Sequence, residues 1–357
     1  MALNQVLAMV LAGGKGDRLF PLTEDRAKPA VPFGGNFRLI DFTLSNCFNS
    51  GVHNIKILTQ YKSDSLDRHI TTWKKVQSNM ESCCNINTVK SSETYPYRGT
   101  ADAVRQNIGI IEENKPDYVL ILSSDHVYKM DYSKMLEAHI RNDAEVTIGA
   151  VETDIAEAAS FGVIEADKKG RISGLQEKPE IPQPLAGRTD VAYISMGIYI
   201  FNYQTLVDAL GGTADDFGRD IIPELIMDRR VFAYSFIDEE KGIPNYWRDV
   251  GTIDSYYKTN LELVNSKPAF RLKDTEWPFL AGEIAVTGCA VNSIISEGCV
   301  INKGSVQNSV FSSDVHFDGS AKISESILFK GVRIGEGVKV HKAIIEQGVS
   351  VPAGARI

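Results

Sequence analysis

The chain has 357 residues, more than one typical domain holds, so two domains are expected. Hydrophobic residues make up 43% and charged residues 24%, and 46 acidic against 38 basic residues give a net charge of −8. That acidity argues against a nucleic-acid binder, while a pocket can still be locally basic for a small anion. No segment approaches the uncharged apolar run of about 20 residues that a membrane helix needs. The apolar start MALNQVLAMVLAGG has no basic n-region, so a buried strand and a cytoplasmic location are expected. The five cysteines, Cys47, Cys83, Cys84, Cys289 and Cys299, show no metal-ligand spacing and read as reduced thiols.

Residues 6–11 form a short apolar run that ends in a glycine loop. Further apolar runs follow at 55–59, 117–122 and 145–151, with helical patterns at 100–113 and 132–141 between them. Short apolar strands separated by helices imply a mostly parallel sheet covered on both faces. Ligands of such sheets sit at the carboxyl ends of the strands, where Gly13 and Asp125 both fall. From residue 265 the texture turns linker-like, in SKPAFRLKDTEWPF. Beyond it Ile294, Val300 and Val306 are six apart, as are Val332, Val338 and Ile344, and glycines mark the turns. A hexapeptide period with one aliphatic residue per turn predicts a parallel β-helix, with a register slip between Val310 and Ile327. The pattern runs to the last residues, VSVPAGARI, without an atypical cap, which leaves a C-terminal truncation open.

The stretch 11–31, LAGGKGDRLFPLTEDRAKPAV, carries the first chemistry. Gly13, Gly14 and Gly16 let the backbone approach a ligand, and Lys15, Arg18, Arg26 and Lys28 crowd cationic charge beside them. A glycine loop after a buried strand, flanked by Arg and Lys, suits a polyphosphate. It is neither a Walker loop nor a Gly-x-Gly-x-x-Gly dinucleotide loop. Asp125, just past the third apolar run, is well placed to hold a metal.

The run LAGGKGDRLFPLT, RAKPAVPFGG and FRLIDFTLSNCFNSG resembles the sugar nucleotidyltransferase signature, and FGG with DFTLSN is similar to its ADP-glucose pyrophosphorylase branch. Further matches are TQY at 59–61, YRGTADAV at 97–104, SSDHVYKMDY at 123–132, FGVI at 161–164, EKP at 177–179, SMGIYIF at 195–201, DFGRDIIP at 216–223 and YWRDVGT at 246–252. The resemblance spans nearly the whole chain. It implies an α/β fold with a Rossmann-like nucleotidyltransferase domain over 1–264, a linker over 265–282, and a left-handed parallel β-helix over 283–357. It also implies a bacterial-type catalytic subunit that joins ATP and glucose 1-phosphate, with Mg²⁺ as cofactor.

By that resemblance Leu11, Gly13 and Gly14 belong to the ATP site, with Gln60, Gly99 and Thr100 near the base. Arg18, Lys28, Asp125 and Asp249 are the implied catalytic residues, and Asp125 and Asp249 the implied metal ligands. Tyr97, Gly162, Glu177, Lys178, Ser195, Tyr199, Asp216, Phe217 and Trp247 match glucose 1-phosphate positions. Arg26 and Arg38 match an anionic effector site, and a homotetramer is implied. Three departures stand out. Ser124 replaces the glycine usual before the catalytic aspartate, Asp25 replaces a lysine found in some members, and 71–95 is short and carries Cys83 and Cys84. The competing readings are a different sugar nucleotidyltransferase, a non-catalytic regulatory subunit, and an acyltransferase using His316 or His341 of the repeat region.

Overall fold

A computed structural model describes residues 5–78, 84–268, 271–280 and 290–357. Cys83, Cys289 and parts of the expected linker and first coil (269–270, 281–289) lie outside the described residues. The chain opens with β1 (Val6–Ala12), a two-strand ribbon of β2 (Pro32–Phe33) and β3 (Phe37–Arg38), and helix α1 (Leu39–Asn49). Next come β4 (Asn54–Thr59), α2 (Asp64–Ser78) and β5 (Asn85–Lys90). Then follow α3 (Thr100–Arg105), α4 (Ile108–Asn114), β6 (Tyr118–Ser123), β7 (His126–Tyr128) and α5 (Tyr132–Arg141). The second half holds β8 (Val146–Asp154), α6 (Ile155–Ala158), β9 (Gly162–Ala166), β10 (Ile172–Glu177), β11 (Val191–Asn202) and α7 (Tyr203–Ala209). It closes with α8 (Ile222–Asp228), β12 (Val231–Ser235), β13 (Ile237–Asp238), β14 (Ile243–Pro244), β15 (Trp247–Asp249) and α9 (Ile253–Glu262).

Nine strands form one mixed sheet, in the order β10-β9-β11-β6-β1-β4-β5, with β8 and β12 joined through β11. β1 pairs in parallel with β4 on one side and β6 on the other, and β11 runs antiparallel to β6, β8 and β9. Both faces of β1 are buried. Val6, Ala8, Val10 and Ala12 join one core, while Leu7 and Met9 join the other. Period-two alternation with apolar residues on both faces marks a central strand under helices on each side. The helix read over 100–113 is two helices. Asn107 breaks it by giving its side-chain amide to Ala103 O (2.8 Å) and Tyr97 Oη (2.9 Å), competing with the backbone ladder.

The C-terminal region forms three four-stranded parallel sheets, wound as three-sided coils in the manner of a left-handed β-helix. The coil length departs from a strict hexapeptide. Ser309 N donates to Ser293 Oγ 16 residues earlier, and Ser326 N and Ala343 N donate to Ser309 Oγ and Ser326 Oγ 17 residues earlier. One side of each coil is shorter, so the register slip recurs at every coil. Its consequence is a different inward set, in which Val306, Phe311, Phe317, Ile323, Leu328, Ile334, Val340, Ile345 and Val351 fill the coil interior. Of the aliphatic residues read as the inward row, Val306, Val332 and Val338 are inside, Val300 is 42% exposed, and Ile294 and Ile344 turn toward the N-terminal region. A one-residue offset moves a side chain to the other face of a strand.

That outward row makes the domain contact. Ile294, Val310, Ile327 and Phe329 share a core with Leu19, Phe33, Phe37, Phe42 and Tyr256. Ser312 Oγ donates to Gly35 O (2.7 Å), Tyr257 Oη to Glu325 O (2.6 Å), and Ser313 N to Asn36 Oδ1 (2.9 Å). No helix among the described residues is long and apolar enough to cross a membrane.

Candidate active site

The chain turns to opposite sides of β1 to build β4 and β6, so a crevice opens at the carboxyl ends of β1 and β6. Asp125 follows β6 in that crevice. Ser124 does not point into it. Its hydroxyl, on a side chain 2% exposed, donates to Leu11 O at 2.6 Å and stitches the end of β6 to the end of β1. Beyond the turn, β7 pairs antiparallel with β15, and the register sets His126 opposite Asp249. The two carboxylates are thus brought together by a ladder between strands more than a hundred residues apart.

Between them stands Lys28, delivered by the short helix Lys28–Ala30. Its ammonium lies 2.6 Å from Asp125 Oδ2 and 3.7 Å from Asp249 Oδ1, and the residue is 9% exposed. Burial would raise the Asp125 carboxyl, but the Lys28 ammonium, helped by His126, holds it well below the usual carboxylate range. Burial would lower Lys28, yet Asp125 and Asp249 hold it above the usual lysine value. Asp125, His126 and Asp249 each offer a ligand atom, all within 4.8 Å of one another. His126 Nε2 lies 3.5 Å from Asp125 Oδ1 and 3.9 Å from Asp249 Oδ1. His126 Nδ1 and Trp247 Nε1 are buried with no hydrogen-bond partner among the described residues. Two hard carboxylates beside an open crevice fit a divalent cation whose remaining ligands come from phosphate and water.

A cavity of about 270 Å³ runs from this cluster. It is lined by Leu11, Arg18, Lys28, Asp125 and Asp249, and also by Thr100, Gly162, Glu177, Lys178, Ser195, Tyr199, Asp216 and Trp247. Lys178, at φ +50 and with its side chain 61% exposed, sits 3.1 Å from Glu177 Oε1. Asp216 accepts from Thr100 Oγ1 (3.0 Å) and Arg219 N (3.0 Å) and so fixes the rim. Gly197, at φ +66, lies in the irregular stretch of β11 between Ser195 and Tyr199, both of which line the cavity.

Other expected residues lie off the cavity wall. Phe217 is 1% exposed and packs at 5.7 Å from Tyr199 and 5.6 Å from Phe201, so it backs the wall. Gln60 grips both backbone groups of Tyr97, accepting from its N–H and donating to its carbonyl. Gly13 lies over that pair, 3.4 Å from Gln60 Cβ and 3.7 Å from Tyr97 Cδ2 when given a Cβ, and Gly14 faces open space. A Cβ at Gly99 would lie 2.2 Å from Asp215 O, so the glycine lets the 215–217 rim close over α3. Arg26, 7% exposed, is engaged by Asp25 (2.8 Å) and by Glu346 of the β-helix (3.0 Å), while Arg38 donates to Ala30 O (2.8 Å). His126, Ser160, Phe161, Met196, Gly197 and Gly218 also line the cavity and were not singled out from the sequence. His126 had a usable signal, being adjacent to Asp125 in SSDHVY. Phe161 packs on Trp247 (5.4 Å), a contact that only the fold reveals.

The chain matches the family model described as nucleotidyl transferase over residues 7–266, and the one described as GlmU-like, C-terminal hexapeptide over 278–357. Among similar proteins, the glucose-1-phosphate adenylyltransferase of Methylococcus capsulatus is 44% identical over 98% of this chain and 87% of its own length. Glucose-1-phosphate adenylyltransferase 2 of Alkalilimnicola ehrlichii is 44% identical over 99% and 88%. The glucose-1-phosphate adenylyltransferase of Rhodopirellula baltica is 42% identical over 99% and 85%.

The pair of buried Lys28 and half-buried Asp125 has a pH signature. A carboxylate depressed in the folded state contributes stability above its unfolded pKa of about 4, and loses it as pH falls through the folded value. Lys28→Met therefore costs most at neutral pH, and the stability gap to wild type narrows below about pH 4. Urea midpoints at pH 7 and pH 3 check this. A gap that stays constant excludes the pairing.

Proposed function

The chain belongs to the nucleotidyl transferase family and, within it, to the glucose-1-phosphate adenylyltransferases, and from that premise we infer that it transfers the adenylyl group of ATP to α-D-glucose 1-phosphate. The products are ADP-glucose, a donor for glycogen- or starch-type glucan synthesis, and pyrophosphate. One observation carries the reading. A single cavity is lined by both the Lys28–Asp125–Asp249 cluster and the Glu177–Lys178 pair.

A phosphate oxygen of glucose 1-phosphate attacks the α-phosphorus of ATP. The new O–P bond forms as the bond to the β-phosphate bridging oxygen breaks, and pyrophosphate leaves in line. No protein nucleophile is needed, because such transfers depend on positioning and charge neutralisation. Asp125 and Asp249 would hold Mg²⁺, which would supply positive charge to offset that of the phosphates. Arg18 and Lys28 add positive charge at the leaving pyrophosphate, Lys28 exchanging its carboxylate partners for phosphate oxygens. The backbone of Leu11, Gly13 and Gly14 receives the nucleotide. Gly99, Thr100 and Gln60 border the base, Gln60 acting through Tyr97. Lys178 grips the sugar phosphate and Glu177 accepts from sugar hydroxyls. Gly162, Ser195, Tyr199, Asp216 and Trp247 shape the glucose pocket, which Phe217 supports from behind.

The protein acts in the cytoplasm as a homotetramer. Anionic metabolites act at Arg26 and Arg38. A buried Arg26 Nη1 without a hydrogen-bond partner supports this, and an effector there competes with Glu346.

The direct test is pyrophosphate release from ATP and glucose 1-phosphate, with other nucleotides and sugar phosphates as comparison. Asp125→Asn lowers turnover by orders of magnitude while the circular dichroism spectrum is kept, because an amide is a poor Mg²⁺ ligand. Near-wild-type turnover at saturating Mg²⁺ contradicts the assignment. Lys178→Ala raises KM for glucose 1-phosphate roughly 10- to 100-fold, equivalent to about 1.5–3 kcal/mol, and leaves KM for ATP nearly unchanged. A change confined to the ATP term misplaces the sugar phosphate. Asp25 repels a second phosphate, so activation by fructose 1,6-bisphosphate is weak, and Arg38→Ala alters the effector curves. Strong activation overturns the first statement, and unaltered curves remove Arg38 from the site.

A further inference from the structure

Helix α1 is buried along its polar side as well as its apolar side. Thr43, Ser45 and Asn46 are 0% exposed and Ser50, just past the helix, is 4% exposed. Burying such groups is costly unless each finds a partner, so their partners show what the helix holds. One set faces the segment around Asp125. Thr43 Oγ1 donates to Ser123 O (2.9 Å), the last residue of β6, and Ser50 Oγ accepts from Tyr132 N (2.8 Å), the first residue of α5. The loop and strand carrying Asp125 and His126 are thereby held at both ends. The other set faces the chain that leads to the β-helix. Ser45 Oγ accepts from Leu280 N (2.8 Å), and Asn49 Nδ2 donates to Pro278 O (2.9 Å).

Asn46 belongs to both sets. Its Nδ2 donates to Tyr128 O (3.2 Å), while Oδ1 accepts from Met130 N (3.2 Å) and from Trp277 Nε1 (3.0 Å). Only a side chain with both a donor and an acceptor satisfies this set, which an aspartate or a leucine could not. A second link runs in parallel, because Lys129 pairs with Asp274, whose other oxygen accepts from Glu276 N and Trp277 N. Residues 128–130 are therefore clamped between α1 and the linker, directly after the strand whose register brings His126 opposite Asp249.

We infer that Asn46 is a positioning residue for the reaction: it fixes the strand that sets Asp125 and His126 against Asp249, and through Trp277 it makes that geometry depend on the interdomain linker. The inference rests on Asp125 and Asp249 being the cation-holding pair. Outer contacts of this kind commonly change cation affinity roughly 10- to 100-fold when removed.

The test uses full-length Asn46→Ala and Trp277→Phe, with Thr147→Val as a comparison that loses a buried hydroxyl contact to His139 far from the site. Mn²⁺ binding is read directly by electron paramagnetic resonance of the free ion, alongside kcat, KM for glucose 1-phosphate and melting temperature. Asn46→Ala weakens Mn²⁺ binding roughly tenfold and lowers kcat, with KM for glucose 1-phosphate little changed. Trp277→Phe, which loses one donor, weakens Mn²⁺ binding by about threefold. Thr147→Val lowers melting temperature without moving Mn²⁺ binding. A folded Asn46→Ala with wild-type Mn²⁺ affinity and kcat overturns the positioning role. Should Asn46→Ala not fold, unchanged affinity in Trp277→Phe overturns the inference. An effect in Asn46→Ala with none in Trp277→Phe overturns the tie to the linker. Asp125→Asn separates the premise: if it binds Mn²⁺ as wild type does, the cation reading fails, whereas loss of binding there with none in the Asn46 and Trp277 variants sinks only the present inference.

Discussion

Two carboxylates facing one crevice repel each other, and a protein that keeps both ionised needs a compensating cation close by. Lys28 supplies that charge, 2.6 Å from Asp125 and 3.7 Å from Asp249. The three residues come from a short helix after the glycine loop, a turn after β6, and strand β15. Nothing local brings them together. The parallel placement of β6 beside β1 brings Asp125 over the glycine loop, and the β7–β15 ladder brings Asp249 to Asp125. The order of the central sheet is therefore the means by which the charge cluster is assembled. Arg18 also lines the cavity and adds a further positive charge near the cluster.

The part of the cavity wall around Glu177 and Tyr199 is built differently. Its groups come from the antiparallel part of the sheet, where β9, β10 and β11 run together. The register of β11 shifts around Gly197, and Ser195, Met196 and Tyr199 all line the cavity. The rim around Asp216 is closed onto α3 by Thr100 and by the absence of a side chain at Gly99. The charge cluster and the groups around Glu177 thus line one cavity, which suits the in-line transfer proposed above.

How much was legible follows from the range of each interaction. Local patterns were readable: the strand before the glycine loop, the strand before Asp125, and the repeats of the β-helix. Asp125 and Asp249 could be paired only through resemblance, since a ladder between residues so distant leaves no local trace. The inward row of the β-helix was offset because each coil advances 17 residues over most of the stack, which a six-residue count cannot track. Ser124 read only as a departure from the usual glycine, and the fold shows its hydroxyl serving the β1–β6 seam. Phe217 read as a sugar contact and is core. Arg26 read as an anion-binding group, and its present partners are Asp25 beside it and a glutamate 320 residues on.

The central claim is that Lys28 holds the two carboxylates in place in the free protein and exchanges them for phosphate oxygens when nucleotide binds. The most direct test is ¹⁵N NMR of the lysine ammonium groups, with Lys28 assigned by Lys28→Arg, during titration with ATP and Mg²⁺. The account predicts a slowly exchanging Lys28 signal in the free protein that shifts as the complex forms and stays in place with glucose 1-phosphate alone. A Lys28 signal that is solvent-averaged from the start, or unmoved at saturating ATP and Mg²⁺, contradicts it.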